Sequence, residues 1–547
     1  MSRTGPPEPP SLATQAAAYG VVLAILLWSL LEREPYDDAY FFKRFARNFL
    51  EHGMFAWNVA DGPVYGSTSQ LFQLLEVGLT ALAGDYTLFA SRVFLTLCLG
   101  VACLVSLALT RGYDGGLASA FAFCSPVMLF TVLSGMETAL VFALLAVLLW
   151  LLYAERGRAL GWWLAPAVGV AIWLARPDAA VLALIPLLVE RWARTRRLPL
   201  RELSLIAGAI ALFLVAFKLY YGTALPLPFY AKQRLFTPYD AEFMAASGRV
   251  QALRFGLFVF TAAPLALALA VRRDRINLTL LGAVLLFEAY HLTTTVEVMG
   301  MHGRFYSPAL PLLALGAARA AESALQRVTV RRLQLAYGAV LGALWIGGFL
   351  PAATSAAGEG VPLIFSLVGA VSGMALLAGL AHSWLRHAGM VAMAPMALAA
   401  ISFSWTLELR PPPSDDEYLT RHTQSVTVFR GLDALRACFG DALHVYHSEV
   451  GVPGLRLPNG KVTDFAGLMS PEWLFRRRSF DAACRAQRPE GIFLPHKNYV
   501  ALNREVLASE CLRDYVRVVA SSSSPLYVRR DLVERYRRCE DASTGAR

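Results

Sequence analysis

The sequence between residues 11 and 406 is a series of apolar runs separated by short polar loops. Each run has roughly 15–24 residues, the length of an α-helix that crosses the apolar core of a bilayer. From residue 407 to residue 547 the sequence is charged, rich in arginine and free of such runs. Charged residues make up only 16% of the chain, against about a quarter in soluble proteins. The sequence therefore predicts a polytopic membrane domain over 1–406 and a soluble domain over 407–547.

The apolar runs predict about thirteen transmembrane helices. The stretch 161–190 is too long for one span and contains Arg176-Pro177-Asp178 in its middle, so we interpret it as two short helices, 161–175 and 178–190. The segment 69–84 is short and carries polar side chains, which favours a juxtamembrane or re-entrant helix. The other spans are predicted at 14–31, 88–110, 114–133, 136–154, 203–222, 251–271, 276–296, 304–323, 333–352, 360–383 and 388–406.

Arginine is concentrated in short loops between the apolar runs, for example at 156–158, 191–201 and 272–275. An excess of arginine and lysine is typical of cytoplasmic loops. All of the basic loops fall on one side if the N-terminus is cytoplasmic and residues 69–84 do not cross the membrane. The net charge of +10 is thus explained by topology rather than by nucleic-acid binding. The same arrangement predicts a bacterial inner-membrane protein with a periplasmic C-terminal domain.

The C-terminal domain has the pattern of a small soluble α/β fold. Short strand-like runs at 444–446 and 491–495 alternate with helical spacing over 425–438 and 471–486. Four of the seven cysteines lie in this domain, at Cys438, Cys484, Cys511 and Cys539. An even number of cysteines in an oxidising compartment is compatible with two disulfides, whose pairing the sequence leaves open.

The predicted external loop 32–68 begins with two adjacent acids, Asp37 and Asp38. A carboxylate at the membrane surface can take a proton from a hydroxyl group that attacks a neighbouring carbon. The structural alternative is a helix cap, since Asp38 precedes a helical pattern that extends to Asn48. Phenylalanines at helical spacing with basic residues between them predict an amphipathic helix on the membrane surface after the acids.

Several further motifs follow on the predicted external face. They are Asp37-Asp38-Ala39-Tyr40, Arg44-Phe45-Ala46-Arg47-Asn48, Trp57-Asn58, Ser134-Gly135-Met136-Glu137-Thr138, Arg176-Pro177-Asp178, Leu227-Pro228-Phe229-Tyr230-Ala231-Lys232 and, in the tail, Ser448-Glu449-Val450-Gly451 with Asp464-Phe465-Ala466-Gly467-Leu468. In this order they resemble GT-C membrane glycosyltransferases of the mycobacterial terminal arabinofuranosyltransferase type. The chain departs from that pattern at Tyr65-Gly66-Ser67-Thr68-Ser69, which lacks an acid, and at 297–304, which lacks a Gly-Gly-Asp run.

The resemblance implies a GT-C-like enzyme that transfers a sugar from a polyprenyl-phosphate donor, such as decaprenyl-phosphate arabinofuranose, with inversion. The acceptor would be a cell-envelope glycan, a lipid or a protein. Asp37 or Asp38 would be the base. Lys232 and Arg304 would bind the donor phosphate, with Arg44 and Arg176 as further candidates. The sugar or acceptor would contact Tyr65, Ser67, Thr68, Glu137, Asp178, Tyr230 and His302.

The sequence leaves other functions and cofactors open. No cofactor is indicated with certainty, although paired acids and an external histidine leave a divalent cation open. His444 and His447 would point to opposite faces of a strand, which disfavours a metal site there. A transporter or flippase of lipid-linked sugars would need ionisable residues at mid-membrane and paired broken helices. A surface-polysaccharide polymerase or ligase is the other alternative, and it would rely on a large external loop with arginine or histidine.

Overall fold

In a computed structural model of the chain, the described residues are 35–110, 134–232, 274–294, 305–316, 319, 412–425, 429, 431–475, 479–495, 499–519 and 525–544. The predicted spans 14–31, 114–133, 251–271, 333–352, 360–383 and 388–406 lie outside them, as does the predicted domain boundary at residue 406.

The membrane part of the described chain is helical. Its helices are α1 (Asp37–His52), α2 (Gln70–Ala83), α3 (Thr87–Thr110), α4 (Thr138–Tyr153), α5 (Glu155–Ala175), α6 (Ala180–Thr195), α7 (Leu200–Tyr221), α8 (Leu227–Lys232) and α9 (Arg275–Thr294). A short apolar helix over Ser307–Gly316 follows. Apart from α8, which lies in a segment predicted as a loop, these helices correspond to predicted spans or to the predicted amphipathic and juxtamembrane segments.

Helix α1 forms where the phenylalanine spacing predicts it. Its N-cap is Tyr36, which makes no side-chain cap, so the two acids lie in the first turn instead of capping the helix. Carboxylates in a first turn are favoured by the helix dipole. The helix ends at Gly53, whose φ of 70° is accessible to glycine at little cost and lets its N–H bond to the carbonyl of Phe49.

The stretch 161–190 divides at the predicted turn. Helix α5 ends at Ala175, Pro177–Ala179 form a 3-10 turn, and α6 begins at Ala180. At this end of α6, Asp178 contacts His291 near the C-terminus of α9, with 2.9 Å between Oδ2 and Nε2. At the other end, Glu190 pairs with Arg275 at the start of α9, at 3.0 Å. Helices α6 and α9 are thus antiparallel. Their basic ends lie opposite to the Arg176-Pro177-Asp178 turn.

Among the residues that the structure describes, two helical stretches are long and apolar enough to cross a membrane. They are Gln70–Ser106 and Leu200–Tyr221. The first combines α2 and α3. Large apolar side chains on α7 are exposed, with Leu212 at 69% and Leu219 at 81% of their maximal accessible area. An apolar helix with an exposed surface of this kind fits a lipid environment. The number of thirteen spans is not confirmed by the described helices.

The tail is a mixed α/β domain, as predicted. Its sheet has the order β2-β1-β3-β5-β4, where the strands are β1 (His444–His447), β2 (Lys461–Asp464), β3 (Gly491–Phe493), β4 (Tyr515–Val519) and β5 (Leu526–Arg529). Strand β1 pairs in parallel with β2 and β3, whereas β5 is antiparallel to β3 and β4. The described helices of the tail are α10 (Asp415–Ser425), α11 (Leu432–Phe439), α12 (Gly451–Arg456), α13 (Pro471–Phe475), α14 (Phe480–Gln487), α15 (Val500–Ala508) and α16 (Val533–Thr544).

Two predicted tail helices differ from the observed ones. The helix predicted over 425–438 begins at Leu432, because Gly431 before it has a φ of 90°, a left-handed conformation that is not helical. The helix predicted over 471–486 is divided into α13 and α14. The Ser479 hydroxyl accepts a hydrogen bond from the Ala482 N–H and so starts α14 as a new helix.

The first loop and the tail share one hydrophobic core. Tyr40, Phe45 and Trp57 from the loop are buried in the same cluster as Val445 and Phe493 from the sheet. The loop that carries the acid pair is therefore packed directly against the tail.

The tail contains one disulfide among its described residues, between Cys484 at α14 and Cys511. The other two tail cysteines, Cys438 and Cys539, form no disulfide in this structure, so one of the two compatible disulfides is observed. The observed bond is compatible with an oxidising compartment.

Removal of this disulfide should destabilise the tail. It joins residues 27 positions apart, and a loop of that size contributes about 3 to 4 kcal/mol through the entropy of the unfolded chain. We expect the double variant Cys484→Ala/Cys511→Ala to melt at a clearly lower temperature than the wild-type chain in scanning calorimetry of the detergent-solubilised protein. Cys438→Ala, which removes a buried thiol that is not part of a disulfide, is the control and should cause a smaller shift.

Candidate active site at the junction of the first loop and the tail

Asp37 is the point at which the first loop meets the tail. Its carboxylate accepts hydrogen bonds from the backbone N–H of Gly451 at 3.1 Å and of Val452 at 2.7 Å. These amides are at the start of α12, where helical N–H groups have no partner within the helix. Burial raises the pKa of Asp37 to about 7, and the neighbouring charge of Asp38 raises it further, while the amide hydrogen bonds oppose the shift. Both carboxylate oxygens of Asp37 thus accept hydrogen bonds from backbone amides of the tail.

Gly451 is required for this approach. A Cβ atom at position 451 would lie 1.8 Å from the carbonyl oxygen of Asp37. No rearrangement of a side chain can relieve this overlap, because the clashing atom belongs to the backbone. The Glu-x-Gly motif of the tail therefore has a steric function in closing the junction.

A second group of charges lies around Glu449 of the tail. The carboxyl group of Glu449 lies within electrostatic range of Asp37, Asp38, Asp464 and Lys232. Burial raises the pKa of Glu449 to about 8, the three acids act in the same direction, and Lys232 opposes them. The structure therefore places the acid pair of the first loop, a tail acid and a lysine at the end of α8 in one region.

Two cations approach the ring of Phe305. The Lys232 Nζ lies 5.7 Å from the ring centroid, and the guanidinium carbon of Arg176 lies 5.9 Å from it. Arg176 also donates a hydrogen bond to the carbonyl of Phe305, at 3.4 Å. Arg176 and Lys232, which are distant in sequence, thus bring positive charge to one aromatic ring, and Lys232 is also within electrostatic range of Glu449. Such an arrangement suits an anion.

Arg176 is oriented by a chain of polar contacts. Its Nε lies 3.1 Å from each oxygen of Asp178, and Asp178 contacts His291 in turn. Glu137 lies within electrostatic range of Arg176, and one of its buried carboxylate oxygens has no hydrogen-bond partner in the described part of the chain. Arg176, Asp178 and Glu137, three predicted site residues, are therefore neighbours.

The guanidinium group of Arg44 makes hydrogen bonds to other groups of the protein. Its guanidinium donates to the carbonyls of Trp57 at 2.6 Å and Gly460 at 3.0 Å, to the carbonyl of Gly454, and to the side chain of Asn58 at 3.2 Å. It also stacks on the Trp57 ring, with 4.6 Å to the centroid. Arg44 fastens the tail to the first loop, and we do not retain it as a phosphate ligand.

The other predicted site residues differ in their burial and in their contacts. Tyr65 is buried and stacks on Tyr221, with 4.7 Å between centroids. The Ser67 hydroxyl accepts from the N–H of Ser69 at 3.1 Å. Tyr230 packs edge-to-face on Phe475 of the tail, at 5.2 Å. Thr68 is half-buried in a bend of the same loop. Arg304 and His302 lie outside the described residues.

The two tail histidines lie on opposite faces of β1, as predicted. His444 contacts the hydroxyl of Thr463 at 2.9 Å, whereas His447 lies between the rings of Phe429 and Phe493. In the described part of the chain, no three histidine, cysteine or acidic side chains are grouped as a metal site would require.

Three residues of this region were missed as site residues by the sequence interpretation: Glu449, His291 and Phe305. Glu449 had a signal, because it lies in the Glu-x-Gly motif of the tail. His291 and Phe305 are single polar or aromatic residues in apolar surroundings, and no local pattern distinguishes them from core residues.

Comparison with known proteins gives a likeness of fold and no family by sequence. No family model matches the chain, and no curated protein matches it. Among solved structures, the chain is similar to ArnT from Cupriavidus metallidurans bound to undecaprenyl phosphate, with a TM-score of 0.53. It is equally similar to the apo state of ArnT, with a TM-score of 0.54. In both comparisons the identity is 16%, over 93% of this chain and 97% of ArnT.

This likeness concerns the fold. It extends over nearly the whole chain, so it includes both the helical part and the tail. It shows that the chain shares its fold with ArnT and gives no support to the arabinofuranosyltransferase type in particular.

Proposed function

We propose that this protein is a membrane glycosyltransferase that takes its sugar from a polyprenyl-phosphate donor at the junction of the first loop and the tail. The observation that carries the proposal is the grouping of the Asp37-Asp38 acid pair, Lys232 and Arg176 on one side of the helical domain. The related fold of ArnT, solved with undecaprenyl phosphate bound, supports a lipid-phosphate ligand for this grouping.

The proposed reaction is a single displacement with inversion. The acceptor hydroxyl forms a bond to the anomeric carbon while its proton passes to the carboxylate of Asp38. The bond from the anomeric carbon to the phosphate oxygen breaks, and the electron pair stays on the leaving polyprenyl phosphate. Asp38 is the proposed base because the oxygens of Asp37 already accept the amides of α12.

Lys232 and Arg176 are the proposed phosphate ligands. Negative charge grows on the phosphate as it leaves, and fixed cations stabilise that charge. Arg304 stays a candidate for the same role, next to Phe305 in the sequence. Tyr230, Tyr65, Ser67, Thr68, Glu137, Asp178 and His302 stay proposed contacts of the sugar or the acceptor.

We place this site on the periplasmic face of a bacterial inner membrane. The basic ends of α6 and α9 lie opposite to the Arg176 turn, as expected if that turn is external. The Cys484–Cys511 disulfide supports an oxidising compartment for the tail.

The function is tested by a transfer assay. The purified full-length protein is incubated with short-chain polyprenyl-phosphate pentoses and hexoses, with neutral glycan, lipid and peptide acceptors, and in parallel with nucleotide sugars. We expect a glycosylated product from at least one polyprenyl-phosphate sugar. A product from nucleotide sugars alone would contradict the donor class, and movement of the lipid-linked sugar across a vesicle membrane without transfer would favour a flippase.

Lys232→Met should weaken use of the donor. Loss of one charge at the leaving phosphate typically lowers kcat by about 10²–10³-fold. We expect a decrease of this order in kcat and a higher KM for the donor in the same assay. Lys218→Met is the matched control, since Lys218 lies near the end of α7 and donates only to the carbonyl of Gly222 among the described residues. Equal loss of activity in both variants would contradict the role of Lys232.

A further inference from the structure

The tail brings Glu449 to the acid pair through a fixed backbone. Asp37 holds the N–H groups of Gly451 and Val452, and consecutive Cα atoms are about 3.8 Å apart. Glu449 is thus only two residues away from a direct contact with the first loop. Its position depends on the docked tail and not on the membrane helices.

The conformation at Glu449 is fixed from the core of the tail. Its N–H donates to Nδ1 of His447 at 2.9 Å. The ring of His447 is fully buried, with centroids 5.6 Å from Phe429 and 4.6 Å from Phe493. The backbone that presents Glu449 is therefore held by the sheet core.

The side chain of Glu449 is partly exposed, and no hydrogen bond to its carboxyl group occurs among the described residues. The charged groups that face it are Asp37 and Asp38 from α1, Asp464 from the end of β2, and Lys232 from α8. Asp464 is engaged by the amides of its own loop, at 2.9 Å from Ala466 and 2.7 Å from Met469. Glu449 thus places a carboxyl group beside the acid pair and Lys232 of the proposed site.

We propose that Glu449 binds the acceptor: its carboxyl group hydrogen-bonds a hydroxyl beside the one that attacks, so that the tail completes the transferase site. This inference rests on the proposed function. It assigns a neutral, polyhydroxylated acceptor to the site, because a phosphate or carboxylate acceptor would meet Asp37, Asp38 and Asp464 at close range.

The protonated form of Glu449 is the competent one. With a pKa near 8, Glu449 carries its proton at neutral pH and can donate to an acceptor oxygen. As the pH rises through that value, Glu449 ionises beside the charges of Asp37 and Asp38. We therefore expect kcat/KM for the acceptor to fall at alkaline pH. A glutamine at position 449 stays neutral and keeps an N–H group that can donate a hydrogen bond, so Glu449→Gln should not show this fall.

The test measures kcat/KM for a neutral glycoside acceptor from about pH 6 to 10, with a polyprenyl-phosphate sugar donor held at saturation. We expect the wild-type profile to decline above about pH 8 and the decline to be absent in Glu449→Gln. Glu449→Ala should raise the acceptor KM by about tenfold, the effect of one lost hydrogen bond, with the donor KM unchanged. Glu510→Gln, an exposed acid of the same domain that pairs with Arg485, is the control and should match the wild type.

The outcomes separate the two proposals. Absence of transfer by the wild-type chain from any polyprenyl-phosphate sugar overturns the proposed function. Transfer by the wild type, with an unchanged acceptor KM in Glu449→Ala or a retained alkaline decline in Glu449→Gln, overturns the role of Glu449 alone. A lowered melting temperature of Glu449→Ala does not affect the pH comparison, which uses the isosteric glutamine.

Discussion

Asp38→Asn is expected to reduce sugar transfer by about 10²–10⁴-fold, the usual contribution of a general base. The asparagine side chain has nearly the same shape but cannot accept the proton of the acceptor hydroxyl. Asp38 is half-buried, and its neighbour Asp37 makes the contacts with the tail. We therefore expect the variant to keep the wild-type melting temperature and donor binding, measured by scanning calorimetry and by retention of a labelled short-chain donor.

Asp37→Asn is the matched comparison for Asp38→Asn. Asparagine has only one side-chain oxygen, and its NH2 group would face the N–H of Gly451 or of Val452. One of these buried N–H groups would therefore lose its acceptor. The expected cost is about 1 to 3 kcal/mol of stability. If Asp37→Asn is stable and inactive while Asp38→Asn keeps activity, the assignment of the two acids is reversed.

Arg44→Met is expected to destabilise the junction by about 3 to 5 kcal/mol, because it leaves buried carbonyl oxygens without donors. Methionine fills much of the same volume, so the loss reports mainly the hydrogen bonds. The carbonyls concerned belong to Trp57 on the loop and to Gly454 and Gly460 on the tail. Denaturant unfolding of the full-length protein, together with release of the tail by limited proteolysis, measures this effect.

Arg47→Met provides the control on the same helix. Arg47 pairs with Glu51 at 2.7 Å on the exposed side of α1. Exposed pairs of this kind contribute about 0.3 to 0.5 kcal/mol. Similar losses of stability in the two variants would show that Arg44 does not fasten the tail.

Within the described residues, several helices could be predicted from the sequence, because apolar run length and proline position are local signals. The span predicted at 88–110 is observed as Thr87–Thr110, and the break predicted at Arg176-Pro177-Asp178 separates α5 from α6. The strands at 444–446 and 491–495 were also recognisable from composition. Helix starts that depend on a left-handed glycine, such as Gly431, were misplaced because helical spacing continues across them.

The junction between loop and tail could not be predicted. Arg44 contacts Gly454, which is 410 positions away, and Asp37 contacts Val452 at a separation of 415. A single sequence contains no signal for such pairs. The same is true of His291, which is joined to Asp178 across 113 positions. The acid pair was predicted from the sequence to be functional, and only the structure shows that Asp37, and not the sequence motif as a whole, binds the amides of the tail.

The position of the donor phosphate is the most direct test of this account. It can be measured by cryo-electron microscopy of the full-length protein in lipid nanodiscs with a bound polyprenyl phosphate. We expect the phosphate within hydrogen-bond distance of Lys232 and Arg176, on the side of the membrane domain that faces Asp38. A phosphate bound at the opposite end, beside Glu190 and Arg275, or an acid pair separated from the phosphate by the thickness of the helical domain, would contradict the proposed site.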